Sequence, residues 1–216
     1  MQGERNAADV DGAEAWMENV YPDLIRDYDS RDIFNADETG LYFKALPSGT
    51  LTVKGSIPSG GKVLKDRITM LLLCNQNGSE KFIFTIGKSK SPRCFHRVRQ
   101  LPVKYFANSK AWMTSEIWSQ IITQLDQDFY SRKRKIILFV DNATCHNLIE
   151  TIRLRSIRII FLPPNTTSLI QPLDQGIIKN FKAYYRRAIV RKQIEALEEG
   201  VSSNDFPKTI TVLMVN

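Results

Sequence analysis

Residues 135–141 read Lys135-Ile-Ile-Leu-Phe-Val-Asp141, five consecutive apolar side chains without polar alternation, ending on an acid. A run of this kind predicts a strand covered on both faces, and so the centre of a sheet. Residues 31–38 (Arg-Asp-Ile-Phe-Asn-Ala-Asp37-Glu38) predict a short strand that also ends in acids. Residues 67–74 and 81–86 predict two more, joined through Asn75-Gln-Asn-Gly78-Ser, a hairpin signal. Residues 157–162 predict the last strand, stopped by Pro163-Pro164.

Helical periods fill the intervals. Trp16, Val20, Leu24 and Ile25 recur at helical spacing within residues 15–28, with a break at Pro22, and the small, polar residues 1–14 predict a frayed lead-in. Residues 115–130 predict a helix capped by Thr114 or Ser115, with an apolar stripe of Ile117, Trp118, Ile121, Ile122 and Leu125. Residues 148–154 predict a short helix. Residues 172–197 predict the longest, with Pro172 in its first turn and Ile177, Phe181, Tyr184, Ala188 and Ile189 along one side. The Gly- and Ser-rich residues 46–65, with Pro58, Gly60, Gly61 and the cations Lys54, Lys62 and Lys65, predict a flexible insert. This order implies an α/β fold: a mixed five-stranded sheet, antiparallel in its first three strands and then built by parallel crossovers, with helices on both faces. A lead-in with a short helix is expected over residues 1–30, the main domain over 31–200 and a short extension over 201–216.

The 216 residues, 43% hydrophobic, suffice for one good-sized core. No apolar run approaches the ~18 residues of a membrane helix, and residues 1–9 lack the apolar centre of a secretory signal. Cys74, Cys94 and Cys145 form no CxxC pair and no even framework, which argues against a disulfide scaffold or zinc knuckle and for a reducing compartment. The 30 basic residues against 23 acids give a net charge of +7 and favour a polyanion partner, nucleic acid before membrane surface. The loop 88–99 concentrates Lys88, Lys90, Arg93, Arg97 and Arg99. Arg132-Lys-Arg-Lys135 is a second run, read first as solvated charge and second as a phosphate-binding or nuclear-import patch.

Charge matters most where it is negative. Asp37 ends the first predicted strand, Asp141 ends the central one, and Asp174 falls in the first turn of the long helix. If the two strands are neighbours, Asp37 and Asp141 project from one sheet edge, where open α/β sheets hold ligands, and the 162–172 loop can carry Asp174 over the same point. Three gathered carboxylates repel one another unless hard cations lie between them, and oxygen-only ligation suits Mg²⁺ or Mn²⁺. Two such ions about 3.5–4 Å apart suit the cutting and joining of phosphodiesters. Each acid also has a purely structural reading: Asp37 as a turn residue before Gly40, Asp141 as a helix cap, Asp174 as a partner of the helix dipole. Glu38, on the opposite face of a strand from Asp37, is expected to be structural or to act behind the ligands. His146 can contact phosphate or orient a ligand, whereas a Cys145–His146 zinc site lacks further ligands.

At these residues the chain resembles the pogo/Tigger group of DDE transposases and its relatives jerky and centromere protein B. The resemblance rests on Asp32-Ile-Phe-Asn-Ala-Asp37-Glu-Thr-Gly-Leu-Tyr-Phe, Lys65-Asp-Arg-Ile-Thr69, Gly87-Lys-Ser-Lys-Ser-Pro-Arg-Cys-Phe95 and Phe139-Val-Asp141-Asn-Ala-Thr-Cys-His146. The longest and most specific segment is Leu162-Pro-Pro-Asn-Thr-Thr-Ser-Leu-Ile-Gln-Pro-Leu-Asp174-Gln-Gly. It covers about residues 15–200 and implies an RNase H-like domain with Asp37, Asp141 and Asp174 as catalytic, metal-binding triad and two Mg²⁺ (or Mn²⁺) ions. Glu38, Asn142, His146 and Gln171 are candidates for the shell behind the ligands, and Lys88, Lys90, Arg93 and Lys179 for DNA contacts.

The implied activity is metal-dependent hydrolysis at transposon ends followed by attack of the freed 3′-hydroxyl on target DNA. The implied setting is the nucleus, with DNA as partner, a homodimer to handle two ends, and neither membrane nor small-molecule substrate. Members of the group usually carry helix-turn-helix modules ahead of this domain and continue past its end, so a catalytic domain with a truncated extension is expected. A domesticated, non-catalytic DNA-binding or interaction module of the same fold is the rival reading, and an RNase H-like nuclease acting on RNA or repair substrates a more distant one.

Overall fold

The computed structural model describes residues 8–45, 66–96, 98–202 and 205–215. Residues 1–7 of the lead-in, the predicted insert at 46–65 with its Pro58, Gly60, Gly61, Lys54, Lys62 and Lys65, and Arg97 of the basic loop lie outside the described residues. The elements are α1 (Val10–Asn19), α2 (Tyr21–Ile25), β1 (Ile33–Tyr42), β2 (Arg67–Asn75), β3 (Lys81–Gly87), β4 (Lys104–Ala107), α3 (Ser115–Ser131), β5 (Ile136–Val140), β6 (Ile157–Phe161), α4 (Thr167–Ile170), α5 (Ile178–Glu198) and α6 (Phe206–Thr209). One sheet has the order β4-β3-β2-β1-β5-β6. β1 and β5 pair parallel, as do β5 and β6. The amide of Gln76 donates to Ile33 O at one end of β1, and that of Phe43 donates to Asp66 O at the other, so β2 runs antiparallel to β1. The turn between β2 and β3 makes a hairpin closed by Asn75 N to Glu80 O at 3.2 Å.

The expected mixed α/β sheet is therefore present, with six strands rather than five. The addition is β4, four residues long, last in the sheet and at most half-buried, so it carries no apolar run to betray it. β1 is also longer than its pattern predicts. It continues through Asp37-Glu38-Thr39-Gly40 to Tyr42, which puts Asp37 inside the strand rather than at its end. No helix forms at 148–154. Side chains of α3 hold the segment at both flanks: Ser119 Oγ accepts from Ile149 N, and the buried Asp126 carboxylate accepts from Arg155, Ser156 and Ile157 at 2.8–3.1 Å. Residues 10–14, expected to fray, form the first turn of α1, whose amide of Gly12 is capped by Asp9. The expected break at Pro22 is present: α1 ends at Asn19 and α2 starts at Tyr21, with Pro22 in its first turn.

The chain divides into two compact units. The first takes the described residues within 1–39, 71–84 and 113–178, and the second those within 40–70, 85–112 and 179–216. In the first, helices cover both sheet faces. On one side Phe34 packs with Phe82 and with Phe129 of α3. On the other, Ile33, Ile137, Phe139 and Leu162 form a cluster against Trp16, Tyr21, Leu24 and Ile25 of α1 and α2. The β5 run is buried throughout. Of the run at 132–135, Arg134 turns inward. Its guanidinium bonds Asp32 at 2.7 and 2.8 Å and Glu80 at 2.6 Å and lies over the Phe129 ring. In the second unit, Tyr185 of α5 donates to Phe43 O at 2.7 Å, and Thr69 to Ala111 O. No helix among the described residues is long and apolar enough to cross a membrane.

Asp126→Ala removes the acceptor shared by three amides and leaves those of Ser156 and Ile157 buried without a partner. The expected loss is about 2–4 kcal/mol, read as a lower urea midpoint at unchanged slope.

Candidate active site

The first unit gathers the acids. β1 and β5 pair from Ile33–Ile137 to Asn35–Phe139, and two residues further along that register stand Asp37 and Asp141. The third acid arrives on an irregular turn. After α4 the chain forms a π-turn, Leu173–Ile177, in which Gly176 adopts φ 149° and ψ −20°. That backbone suits glycine alone, and it separates Asp174 from α5, so the continuous helix predicted from Pro172 is broken here. Gln171 O accepts from the amides of Asp174 and Gln175, and the Leu173 amide donates to Asn35 Oδ1 at 3.2 Å.

Asp37 is only 8% exposed, and Oδ1 accepts from the Glu38 amide at 2.7 Å. Burial, then the negative charges of Asp174, Glu38 and Asp141, push its carboxyl up to about 8. All three sequence-predicted ligands thus share one electrostatic neighbourhood, with Asp174 the charge that Asp37 feels most. Asp174 is exposed, and Asp141 is a third exposed.

His146 lies at the end of a 3-10 turn, Thr144–His146, with its side chain wholly buried. Nδ1 meets Asp141 Oδ1 at 2.6 Å, Nε2 meets Glu38 Oε1 at 2.9 Å, and the ring lies 4.5 Å from that of Trp118. Burial opposes its charge, but the bonds to the two carboxylates win and push it up to about 11. The same imidazolium, helped by the Ala143 amide, overcomes the burial of Asp141 and holds that carboxyl below its ordinary range. Asp141 caps no α-helix; it is held by a cation. Glu38, facing away from Asp37 as alternation requires, joins the site through His146. Glu38, Cys145 and His146 have ligand atoms within 4.8 Å of one another, yet both ring nitrogens of His146 are already engaged by carboxylates, so this trio is a bridged ion cluster and not a metal cage. The Cys145 thiol, half-buried, is pushed up by burial and by Glu38 and Asp141, against the pull of His146.

Asn142 Nδ2 donates to Leu162 O at 2.6 Å, tying the exits of β5 and β6. Gln171 is fully buried, and neither amide atom has a hydrogen-bond partner among the described residues. Lys88, Lys90, Arg93 and Lys179 are exposed and all belong to the second unit. Asn35 is the residue that pattern reading missed. A polar side chain at a buried position of an apolar strand segment, Ile33-Phe-Asn-Ala, was the available signal, since such a group needs partners.

A family model described as DDE superfamily endonuclease matches residues 65–215. The chain belongs to this DDE superfamily endonuclease family. Within it, the domain is of the pogo/Tigger, transposase-related type. It is 39% identical over 204 residues to Tigger transposable element-derived protein 4 of Mus musculus, covering 94% of this chain and 39% of that protein. It is 32% identical to the CENP-B homolog protein 2 of Schizosaccharomyces pombe (99% and 42%) and 32% identical to the major centromere autoantigen B of Homo sapiens (82% and 28%). This DDE-family chain thus spans less than half the length of these relatives. The Mos1 transposase paired-end complex with left transposon end matches in structure with a TM-score of 0.50 at 12% identity, over 91% of this chain and 56% of that one. At that identity the likeness concerns the fold, which is RNase H-like.

Asp37 binds a proton more readily folded than unfolded, so between its ordinary value of 3.8 and about 8 it subtracts stability as pH rises. Asp37→Asn is expected to raise the unfolding midpoint measured in EDTA, little at pH 5 and by several degrees at pH 8. About 1 kcal/mol is worth ~2–4 °C in a chain of this size. A midpoint difference that does not grow with pH would contradict the charge crowding.

Proposed function

We propose that this DDE-family domain is a divalent-metal-dependent DNA endonuclease and strand-transfer core, with Asp37, Asp141 and Asp174 as its ligands and catalytic acids. The observation that carries this reading is the buried Asp37 carboxyl under the field of three other carboxylates. His146 stands between Asp141 and Glu38, whereas the charges that act most on the buried Asp37 carboxyl are all negative. Oxygen donors without sulfur or free imidazole fit Mg²⁺ or Mn²⁺, and two ions are the number this chemistry would use. Such ions, when bound, supply Lewis-acid activation of the attacking hydroxyl and stabilisation of the leaving oxygen.

The chain's own residues do the remaining work. β1 and β5 hold Asp37 and Asp141 at one level. His146 fixes the Asp141 carboxylate through Nδ1 and keeps it ionised. Asn142 holds the loop exit by its bond to Leu162 O. Lys88, Lys90, Arg93 and Lys179, exposed cations of the second unit, would contact backbone phosphates, with affinity that falls steeply as salt rises. Relatives named for transposable elements and centromeres extend the reading to DNA as partner and the nucleus as location, with a homodimer where two DNA ends are joined. Those centromere names also support a second reading, a non-catalytic DNA-binding module that keeps the fold.

Nicking of supercoiled plasmid separates the two. The catalytic reading expects nicked circles with Mg²⁺ or Mn²⁺, none with EDTA, and a loss of at least about a hundredfold in Asp141→Asn; equal activity in both proteins, or none in either, sinks it. Because Asp37 must release its proton to bind a cation, Mn²⁺ affinity by calorimetry should climb toward tenfold per pH unit between pH 6 and 8 and level off above. A flat profile would remove Asp37 from the ligand set.

A further inference from the structure

Asn35 is 6% exposed, and both ends of its amide are used. Nδ2 donates to Phe139 O at 3.0 Å, and Oδ1 accepts from Leu173 N at 3.2 Å. Neither bond is local: the partners lie 104 and 138 residues away in sequence. Each sits just before one of the three acids. Asn35 is two residues before Asp37 on the same face of β1, Phe139 is two residues before Asp141 in the paired register, and Leu173 immediately precedes Asp174.

The chemistry of the three positions accounts for an amide rather than an aliphatic side chain. Phe139 belongs to the last paired position of β1 and β5, and its carbonyl, which has two lone pairs, accepts the Asn35 side-chain amide. At the start of the π-turn Pro172 has no N–H, which makes Leu173 the first amide needing an acceptor outside the turn. One side chain that both donates and accepts at about 3 Å makes the two bonds at once; among uncharged residues of this length only Asn offers that pair. A leucine of similar volume would fill the space and take from the Leu173 amide the acceptor it uses here.

We propose that Asn35 is a positioning residue that braces the three carboxylates against one another, by tying the backbone ahead of Asp141 and ahead of Asp174 to the strand that carries Asp37. The proposal rests on the metal-site reading for its consequence and on the two hydrogen bonds for its cause, and these can be tested apart. In Asn35→Leu, which keeps the volume, hydrogen exchange measured in EDTA should quicken by tenfold or more at the amides of residues 173–175 while the amides of β5 stay protected. Mn²⁺ affinity measured by calorimetry should fall about 10–100-fold, the range typical of residues that orient metal ligands. Asp126→Ala, a destabilising change in the loop before β6, serves as control: it should lower the unfolding midpoint without moving Mn²⁺ affinity. Should Asn35→Leu fail to fold, Asn35→Ser carries the same two measurements.

Unchanged exchange at residues 173–175 would overturn the brace. Quickened exchange with Mn²⁺ affinity intact would overturn its role in positioning, as would an equal loss of affinity in Asp126→Ala. If the unaltered protein and Asp141→Asn both fail to take up Mn²⁺, the metal reading falls, and with it the positioning role; the exchange result still decides whether the brace exists.

Discussion

Parallel pairing sets residues of equal register side by side, and the pairing of β1 with β5 does this for an acid on each strand. The energetic difficulty is that one of them, Asp37, is nearly buried in the first unit, while Asp141 stands a third exposed just past the end of β5. A carboxylate in such a place is tolerated only with compensation. Part of the surrounding structure can be read as that compensation: the amides of Glu38 and Ala143 turned onto Asp37 and Asp141, and the 3-10 turn that delivers His146, whereas the glycine-dependent turn before α5 adds the charge of Asp174 to the same neighbourhood. These features follow from where the acids stand.

The placement of Asp37 and Asp141 was legible because a strand period and a parallel crossover are properties of the sequence pattern. Asp174 was legible as part of a helix start but not as part of an irregular turn, since Pro172-Leu-Asp-Gln-Gly176 reads as an ordinary first turn until the conformation of Gly176 is seen. The missing helix at 148–154 shows the limit from the other side. Its apolar spacing is adequate, but Ser119 and Asp126, some 30 residues earlier, hold the amides at its two flanks, and no local window contains both halves of that contact. Asn35 escaped for the same reason: its meaning lies in two partners more than a hundred residues away. β4 was lost to a different cause, since a short edge strand buries too little to leave a pattern.

Two cations in the first unit show how differently a positive charge can be spent. Arg134, one of four in a basic run, is drawn onto Asp32 and Glu80 and stacked on Phe129, a structural use that a count of surface charges would miss. His146, alone between Glu38 and Asp141, is the counter-charge of the acid cluster and is sealed by Trp118. An imidazole so placed is not a pH switch, because two carboxylates keep it protonated well beyond the neutral range. It behaves as a fixed cation with a planar, directional grip.

Cys145 inherits a consequence of that arrangement. Only a thiolate attacks alkylating agents or peroxide at useful speed, and burial together with the neighbouring Glu38 and Asp141 disfavours that form, although His146 stands next in the chain. The same negative field that readies the acids for cations therefore makes the adjacent sulfur a sluggish nucleophile. A cysteine beside a histidine is often read as an activated pair; here the carboxylates claim the imidazolium first and leave the sulfur chemically quiet.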